Sequence, residues 1–550
     1  MTIATGEYEK ASVPRARFSF DRWGLAVAFI AAGVMVPLCV VFSSLFKAND
    51  EVWRHLADTV LVEVLFNTLW LSIGVALGTG FIGVSLAWLC AANDFPGRRV
   101  FDWALMLPMA IPSYVTAFVA IGLLDFSGPV QSALRKWSGG AIWFPSIRST
   151  GGIILVMTLT LYPYVYLLSR NAFLTQGRRA LEAAQTLGHH RRSGFFKVAL
   201  PMAKPWIAGG LALVLMETLA DFGAVAIFNY DTFTTLIYKA WFGFFSLSAA
   251  SQLASLLVLF VFAFLVLEQG FTFRTRYTRV DRGGMQGDRV ALSPFYKWVA
   301  FAYAATVLSV AFLIPVFQLI LWSVEVIRRD LDVRYFDFLS HSLFLGALAA
   351  SITVACTLVL VYAHRFHPSR SIRTMIRIAT LGYALPGSVL AVGIFIPLAW
   401  FDERVADYFN GAPWLQGTLI VMLMAYLIRF LAVAYQPVQS AIQRLSPNID
   451  ESARSLGCSG LGLLKRVYFP IVRGGVMTAL VLVFVDVMKE MPITLMTRPF
   501  GWDTLAIRIF EMTSEGEWGR AALPATVLVL AGLIPVVLLV RDPDKGFERR

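Results

Sequence analysis

About twelve apolar runs, each near the length that a helix needs to cross a bilayer, limit what this chain can become. They lie near Gly24–Phe46, Thr68–Cys90, Trp103–Leu124, Gly152–Leu168, Trp206–Phe228, Ala249–Leu267, Val299–Trp322, Leu343–His364, Ile376–Trp400, Leu415–Ala434, Gly475–Leu495 and Ala521–Val540. Lipid offers no partner for backbone N–H and C=O groups, and a helix satisfies them within one segment. With 57% of residues hydrophobic and 15% charged, most of the chain has no use for water as its solvent. The expectation is an all-α polytopic membrane protein.

Basic residues resist translocation, so their placement orients the spans. With both termini in the cytoplasm, about 33 Lys and Arg fall inside and about 13 outside, with Lys489 within a helix. The formal net charge of +12 is then a consequence of topology, and nucleic acid is not expected as a partner. Cys39, Cys90, Cys356 and Cys458 form no CxxC pair and have no His at ligand spacing, which reads as structural thiols. The segment before Asp21 carries Lys10, Arg15 and Arg17, and the long run after it lacks a small-residue cleavage pattern. A retained first helix is expected there.

Two polar stretches interrupt the apolar pattern and match each other without a gap. In Leu181–Pro201 (LEAAQTLGHHRRSGFFKVALP), Glu182, Ala183, Gly188, Val198, Leu200 and Pro201 stand at the offsets of Glu451, Ser452, Gly457, Val467, Phe469 and Pro470 in Asp450–Pro470. A constant shift of about 269 residues means an internal duplication, with about six helices in each half. The boundaries follow: 1–23 a cytoplasmic segment, 24–269 the first half, 270–296 a basic, glycine-bearing linker, 297–541 the second half and 542–550 a cytoplasmic tail. An even number of spans per half makes the repeats parallel, related by an axis along the membrane normal, where a solute path would run. Each repeated loop favours a short helix that stops at its glycine, Gly188 or Gly457.

The pattern Glu182-Ala183-Ala184, Gly188, Val198, Leu200, Pro201 resembles the EAA loop of permease subunits of ABC importers. The second copy, Glu451-Ser452-Ala453 with Gly457, departs at Ser452 and Phe469. The resemblance implies the type I importer fold, with each loop serving as a coupling helix that docks on a separate ATP-binding subunit. Two copies of a cytoplasmic ATPase are thereby expected, holding the ATP and magnesium. The chain has no GxxxxGK[ST] loop, is not itself an enzyme by this reading, and binds no cofactor. Longer strings narrow the likeness: Leu107–Leu124, Glu217–Gly243 and Val485–Glu511 resemble the fused, two-half permeases of ferric iron importers. That resemblance implies a bacterial inner membrane and a periplasmic or lipid-anchored solute-binding protein. The short outside loops Asn229–Phe245 and Arg498–Glu517 offer docking surface for it.

Glu217 and Asp221 lie four apart on the fifth helix, hence on one helical face, and the repeat carries them to Asp486 and Glu490. Acids in a bilayer are costly and seldom face lipid. Ferric iron prefers hard oxygen ligands, so one reading is a transient cation-attracting ring of these four carboxylates, the sole metal-binding expectation. The other is a structural or gating network, with Lys489 offsetting one charge. Pro108, Pro112 and Pro386 should break or kink the third helix of each half, as path-lining residues or as tolerated kinks. Tyr162, Tyr164 and Tyr166 read first as interfacial anchors and second as phenolic oxygens that touch ferric iron, and His189–His190 reads as a loop surface. A secondary transporter of twelve spans is the rival architecture, but has no use for matched EAA loops. Within the ABC reading, thiamine, phosphonate and polyamine are alternative substrates; repeated acids at the midplane favour a cation.

Overall fold

The computed structural model describes residues 22–46, 51–140, 143–177, 191–272, 290–367, 369–405, 414–443, 449, 452–453, 455 and 467–540. The first half contributes α1 (Arg22–Ser43), α2 (Leu61–Ala92), α3 (Arg98–Ala104), α4 (Ser113–Leu124), α5 (Thr150–Ala172), α6 (Leu200–Ala220), α7 (Gly223–Ile227) and α8 (Leu247–Thr272). The second contributes α9 (Pro294–Leu308), α10 (Ile314–Asp330), α11 (Val333–Phe366), α12 (Arg370–Ala379), α13 (Gly387–Val405), α14 (Leu419–Gln443), α15 (Phe469–Lys489), α16 (Pro492–Thr497), α17 (Leu505–Ser514) and α18 (Trp518–Val540). Among the described residues, eleven helical stretches are long and apolar enough to cross a membrane. A twelfth arises if the bent pair Arg370–Ala384 and Gly387–Val405 is one span.

Helix starts are set by side-chain acceptors where polar residues meet apolar runs. Ser149 accepts the N–H of Gly152, Asp332 that of Tyr335 and Ser369 that of Ile372. Within the bundle, close approach depends on absent side chains rather than on a hydrophobic drive, since lipid is as apolar as leucine. A Cβ on Gly83 of α2 would come 3.0 Å from the backbone nitrogen of Tyr166 in α5, so at that point the two helices pack backbone against backbone.

The halves exchange their ends. Helices α1 and α8 of the first half pack on α13 of the second, and α1 also packs on α11 and α12. Reciprocally, α9 packs on α3, α10 on α4, and α18 on the turn Leu107–Ala110. The two hydrophobic cores are accordingly mixed: Val27, Val34 and Leu253 belong with Val389 and Tyr426, whereas Leu319, Leu528 and Val529 belong with Leu86 and Val115. The sequence boundaries at 24–269 and 297–541 therefore mark the repeat without marking two separate cores. The only strands among the described residues are two-residue pieces, β1 (Asn93–Asp94) and β2 (Val290–Ala291). They pair in parallel and pin the end of the linker to the turn after α2.

The third apolar run, Trp103–Leu124, is not one helix. After α3 the chain makes a tight turn at Leu107–Ala110, extends through Ile111 and Pro112, and restarts as α4. The second half repeats this: α12 leads into the turn Thr380–Ala384 and, past Pro386, α13 leaves at a bend of 116°. A proline lacks the N–H that would continue the helix and biases its predecessor to extended backbone, which is what Ile111 and Leu385 adopt.

Candidate functional site

The fifth helix of each half breaks at the same repeat position. Helix α6 ends at Ala220, Asp221 turns to φ −66°, ψ 131°, and α7 begins two residues later. Helix α15 ends at Lys489, Glu490 turns to φ −71°, ψ 124°, and α16 begins at Pro492. The expectation that Glu217 and Asp221 share a continuous helical face is thereby corrected: Asp221 and Glu490 sit in the breaks, one turn beyond Glu217 and Asp486.

The breaks are held by the acids themselves. Asp221 Oδ1 accepts the N–H groups of Ala224 at 2.9 Å and Val225 at 3.3 Å. Glu490 accepts the N–H of Ile493 and that of Thr494, both at 3.1 Å, with the Thr494 hydroxyl at 3.2 Å from the same carboxylate. A carboxylate at the start of a helix meets both orphan donors and the positive end of the peptide dipoles. Each acid also abuts the broken third helix of its own half. Ser113, directly after Pro112, donates to Asp221 Oδ2, and a Cβ on Gly387, directly after Pro386, would come 2.7 Å from Glu490 Oε1.

All four acids line one cavity of about 220 Å³ between the halves. Glu217 Oε1 accepts a hydrogen bond from the hydroxyl of Tyr383, 3.0 Å away in the second half's Thr380–Ala384 turn. Asp486 has no hydrogen-bond donor among the described residues. Among those residues no three acids, histidines or cysteines converge as a metal-holding group, so the four carboxylates share a chamber without forming a closed coordination shell. Pro112 lines the cavity; Pro108 and Pro386 do not, and act through the turns they shape.

Two cations line the same space. Lys489 Nζ donates to the carbonyl of Met109 at 3.2 Å, and the Tyr114 hydroxyl donates to the carbonyl of Lys489 at 3.3 Å, tying α15 to the first half's broken helix. Arg429, in α14, donates through Nη1 to the carbonyl of Leu385 at 2.8 Å, while its Nε is buried without a partner. Neither cation lies within ion-pair distance, 4 Å, of a described acid. Lys489 is evident from the sequence as an intramembrane cation, and Arg429 is its missed companion. An arginine inside the run Leu415–Ala434 was a sufficient signal, because intramembrane cations are as costly as intramembrane acids. Tyr383 gave none, since one tyrosine inside the run Ile376–Trp400 is ordinary for a span.

The tyrosines correct another expectation. Tyr162 and Tyr166 are fully buried, with the Tyr166 hydroxyl donating to the carbonyl of Asp102 at 3.0 Å, and Tyr164 lines the cavity. Helix α5 is enclosed by α2, α4 and α6, which leaves these residues no membrane interface to anchor. In the repeated loops, Ser452 is exposed and Ala453 buried. Glu182, Ala183, Ala184, Gly188, His189, His190, Glu451 and Gly457 lie outside the described residues, as do Cys458, most of the linker and both termini.

A polytopic helical bundle with a polar chamber where two repeats meet suits a transporter that binds solute between its halves. The chain belongs to the family described as binding-protein-dependent transport system inner membrane component, whose profile matches it twice, over residues 81–321 and 342–542. It is a transport permease with the two halves fused in one chain. The Fe(3+)-transport system permease protein FbpB 2 of Haemophilus influenzae is 29% identical over 516 residues, covering 92% of this chain and 96% of that protein. The ferric transport system permease protein FbpB of Actinobacillus pleuropneumoniae is 22% identical, covering 90% and 74%. The sulfate transport system permease protein CysT of Escherichia coli is 27% identical over 265 residues, covering 46% of this chain and 92% of that protein.

Proposed function

We propose that this chain is the membrane subunit of an ATP-driven importer that passes ferric iron from a solute-binding protein to the cytoplasm by alternating access. The observation that carries the substrate is the set of four repeat-matched carboxylates on one chamber between the halves. Hard oxygen donors suit a small, highly charged cation. An open arrangement suits passage, since an ion held in a closed shell does not leave. Relatives named for ferric transport that match both halves at once support the same reading.

In this account the loops 181–201 and 450–470 each receive one copy of a cytoplasmic ATPase, which holds ATP and magnesium, and both termini face the cytoplasm. The solute-binding protein docks on the opposite side at the exposed ends of segments 229–245 and 498–517, where Phe245 and Phe500 stand out, the helices within those segments being largely buried.

A second reading, an oxyanion permease, draws on Arg429 and Lys489 in the chamber and on the half-length likeness to a sulfate permease. Labelled ferric iron uptake by cells with the gene deleted and then restored separates the two, with sulfate and molybdate as competitors. Iron uptake lost, restored and indifferent to the oxyanions supports the ferric reading. Unchanged iron uptake with lost sulfate or molybdate uptake replaces it.

A further inference from the structure

The chamber's polar groups divide into those already committed and those left for cargo. Asp221 and Glu490 are taken by backbone donors at the helix breaks. Asp486 is unbonded and Glu217 has given one oxygen to Tyr383, and these two are repeat mates. The cations do not follow the repeat. Thr160 and Ala220 stand at the first-half positions that match Arg429 and Lys489, and both line the chamber, so the fold does not require a charge there. Yet each cation is fixed to a backbone carbonyl at a helix break, out of ion-pair reach of the acids, and the Arg429 Nε is a buried donor with nothing to donate to.

Two cations held beside the path of a trivalent cation would repel it, and a buried guanidinium N–H left without an acceptor costs stability. Both penalties disappear if the cargo brings its own negative charge. Uncomplexed ferric iron hydrolyses at neutral pH, and a bound oxyanion occupies coordination positions that water would otherwise fill while lowering the charge that must cross. Guanidinium and ammonium groups are the side chains that bind oxyanions, the former through a planar fork. Against the roughly 10–15 Å³ that one water needs, a chamber of about 220 Å³ admits an ion together with its ligands. Resting on the ferric reading above, we infer that the cargo crosses as a ferric ion still bearing a small oxyanion of the phosphate or carbonate class. The metal faces Asp486 and Glu217, and the oxyanion faces Arg429 and Lys489.

The test uses the full chain in lipid nanodiscs, equilibrated with labelled ferric iron plus either labelled phosphate or labelled carbonate, and with each anion alone. The expected result is joint retention of iron and one of the two anions near equal amounts, with little of either anion retained alone. The label that is retained identifies the oxyanion. Arg429→Gln and Lys489→Gln should each weaken anion-dependent iron retention about ten- to a hundredfold, the loss of one charge-assisted hydrogen bond. Arg429→Lys, which keeps the charge but not the fork, should retain more of it than Arg429→Gln, and the Lys489 variant carries the test if Arg429→Gln fails to fold. Iron retained without either anion, or unchanged binding in both Gln variants, overturns the inference. So does an empty chamber in a chain that supports iron uptake in cells. Absence of iron uptake in cells strikes the ferric reading itself.

Discussion

Replacing Glu490 by alanine should destabilise the second half far more than replacing Asp486, although both acids line the same chamber. Helix α16 begins with Pro492, which has no N–H, and Leu495 already donates to the carbonyl of Met491 at 2.8 Å. The orphan donors of the first turn are therefore those of Ile493 and Thr494, and Glu490 takes both. The Thr494 hydroxyl is not orphaned by the change, since it also reaches the Glu490 carbonyl at 2.9 Å and the Tyr426 hydroxyl at 2.6 Å. Glu490 is 7% exposed, and truncating it leaves both N–H groups without a protein acceptor. Two buried N–H groups left unmet cost about 1–3 kcal/mol each, so Glu490→Ala should cost about 2–6 kcal/mol; Glu490→Gln, which keeps one acceptor, should cost about 1–3. Asp486→Asn breaks no hydrogen bond and should cost less than either change at Glu490. Heating the purified chains in one detergent and measuring the monodisperse fraction by size exclusion gives the order directly. Equal thermal midpoints for Glu490→Ala and Asp486→Asn would refute the assignment of Glu490 as the cap of α16.

Further outcomes follow from other contacts. A Cβ on Gly532 would press on the carbonyl of Ala110 and lie 2.6 Å from Lys489 Nζ, so Gly532→Ala should cost about 1–3 kcal/mol and reduce transport by displacing the Leu107–Ala110 turn; unchanged uptake and melting would contradict this. Arg170 holds Asp102 through two parallel hydrogen bonds, Nε to Oδ1 at 2.6 Å and Nη2 to Oδ2 at 2.5 Å, linking the end of α5 to α3. The repeat places Gln439 opposite, so Arg170→Gln should lower stability by about 1.5–3 kcal/mol, whereas Gln439→Ala should lower it less. Changing Glu182 and Glu451 together to Arg should abolish ATP-coupled uptake while leaving the chain inserted; normal uptake by that double variant would sink the coupling role of the two loops.

The membrane class and the duplication were legible in the sequence because both are periodic properties of long segments. Apolar runs report lipid, and a gapless match between Glu182–Pro201 and Glu451–Pro470 reports a repeat. Pro112 and Pro386 announced the broken third helices for a local reason that acts wherever the chain lies. The break after Ala220 was not announced. No proline stands there, and Asp221 caps α7 only because Ser113 and the start of that helix converge on it in space. The exchange of α1 and α8 with α9, α10 and α18 was likewise invisible, since a uniformly apolar helix does not reveal which neighbour it will meet. Tyr162, Tyr164 and Tyr166 were misread for the same reason: residues that look amphipathic at a membrane edge belong to a helix enclosed on several sides.

The central claim is that the chamber between the halves is the ferric path, and Glu217 and Asp486 are its uncommitted carboxylates. The most direct measurement is labelled ferric iron uptake by cells carrying Glu217→Gln with Asp486→Asn, at membrane levels matched to the parent. Loss of most iron uptake, with the ATPase still bound and thermal stability little changed, is the predicted result. Iron uptake equal to that of the parent would contradict the claim and leave the chamber a structural network.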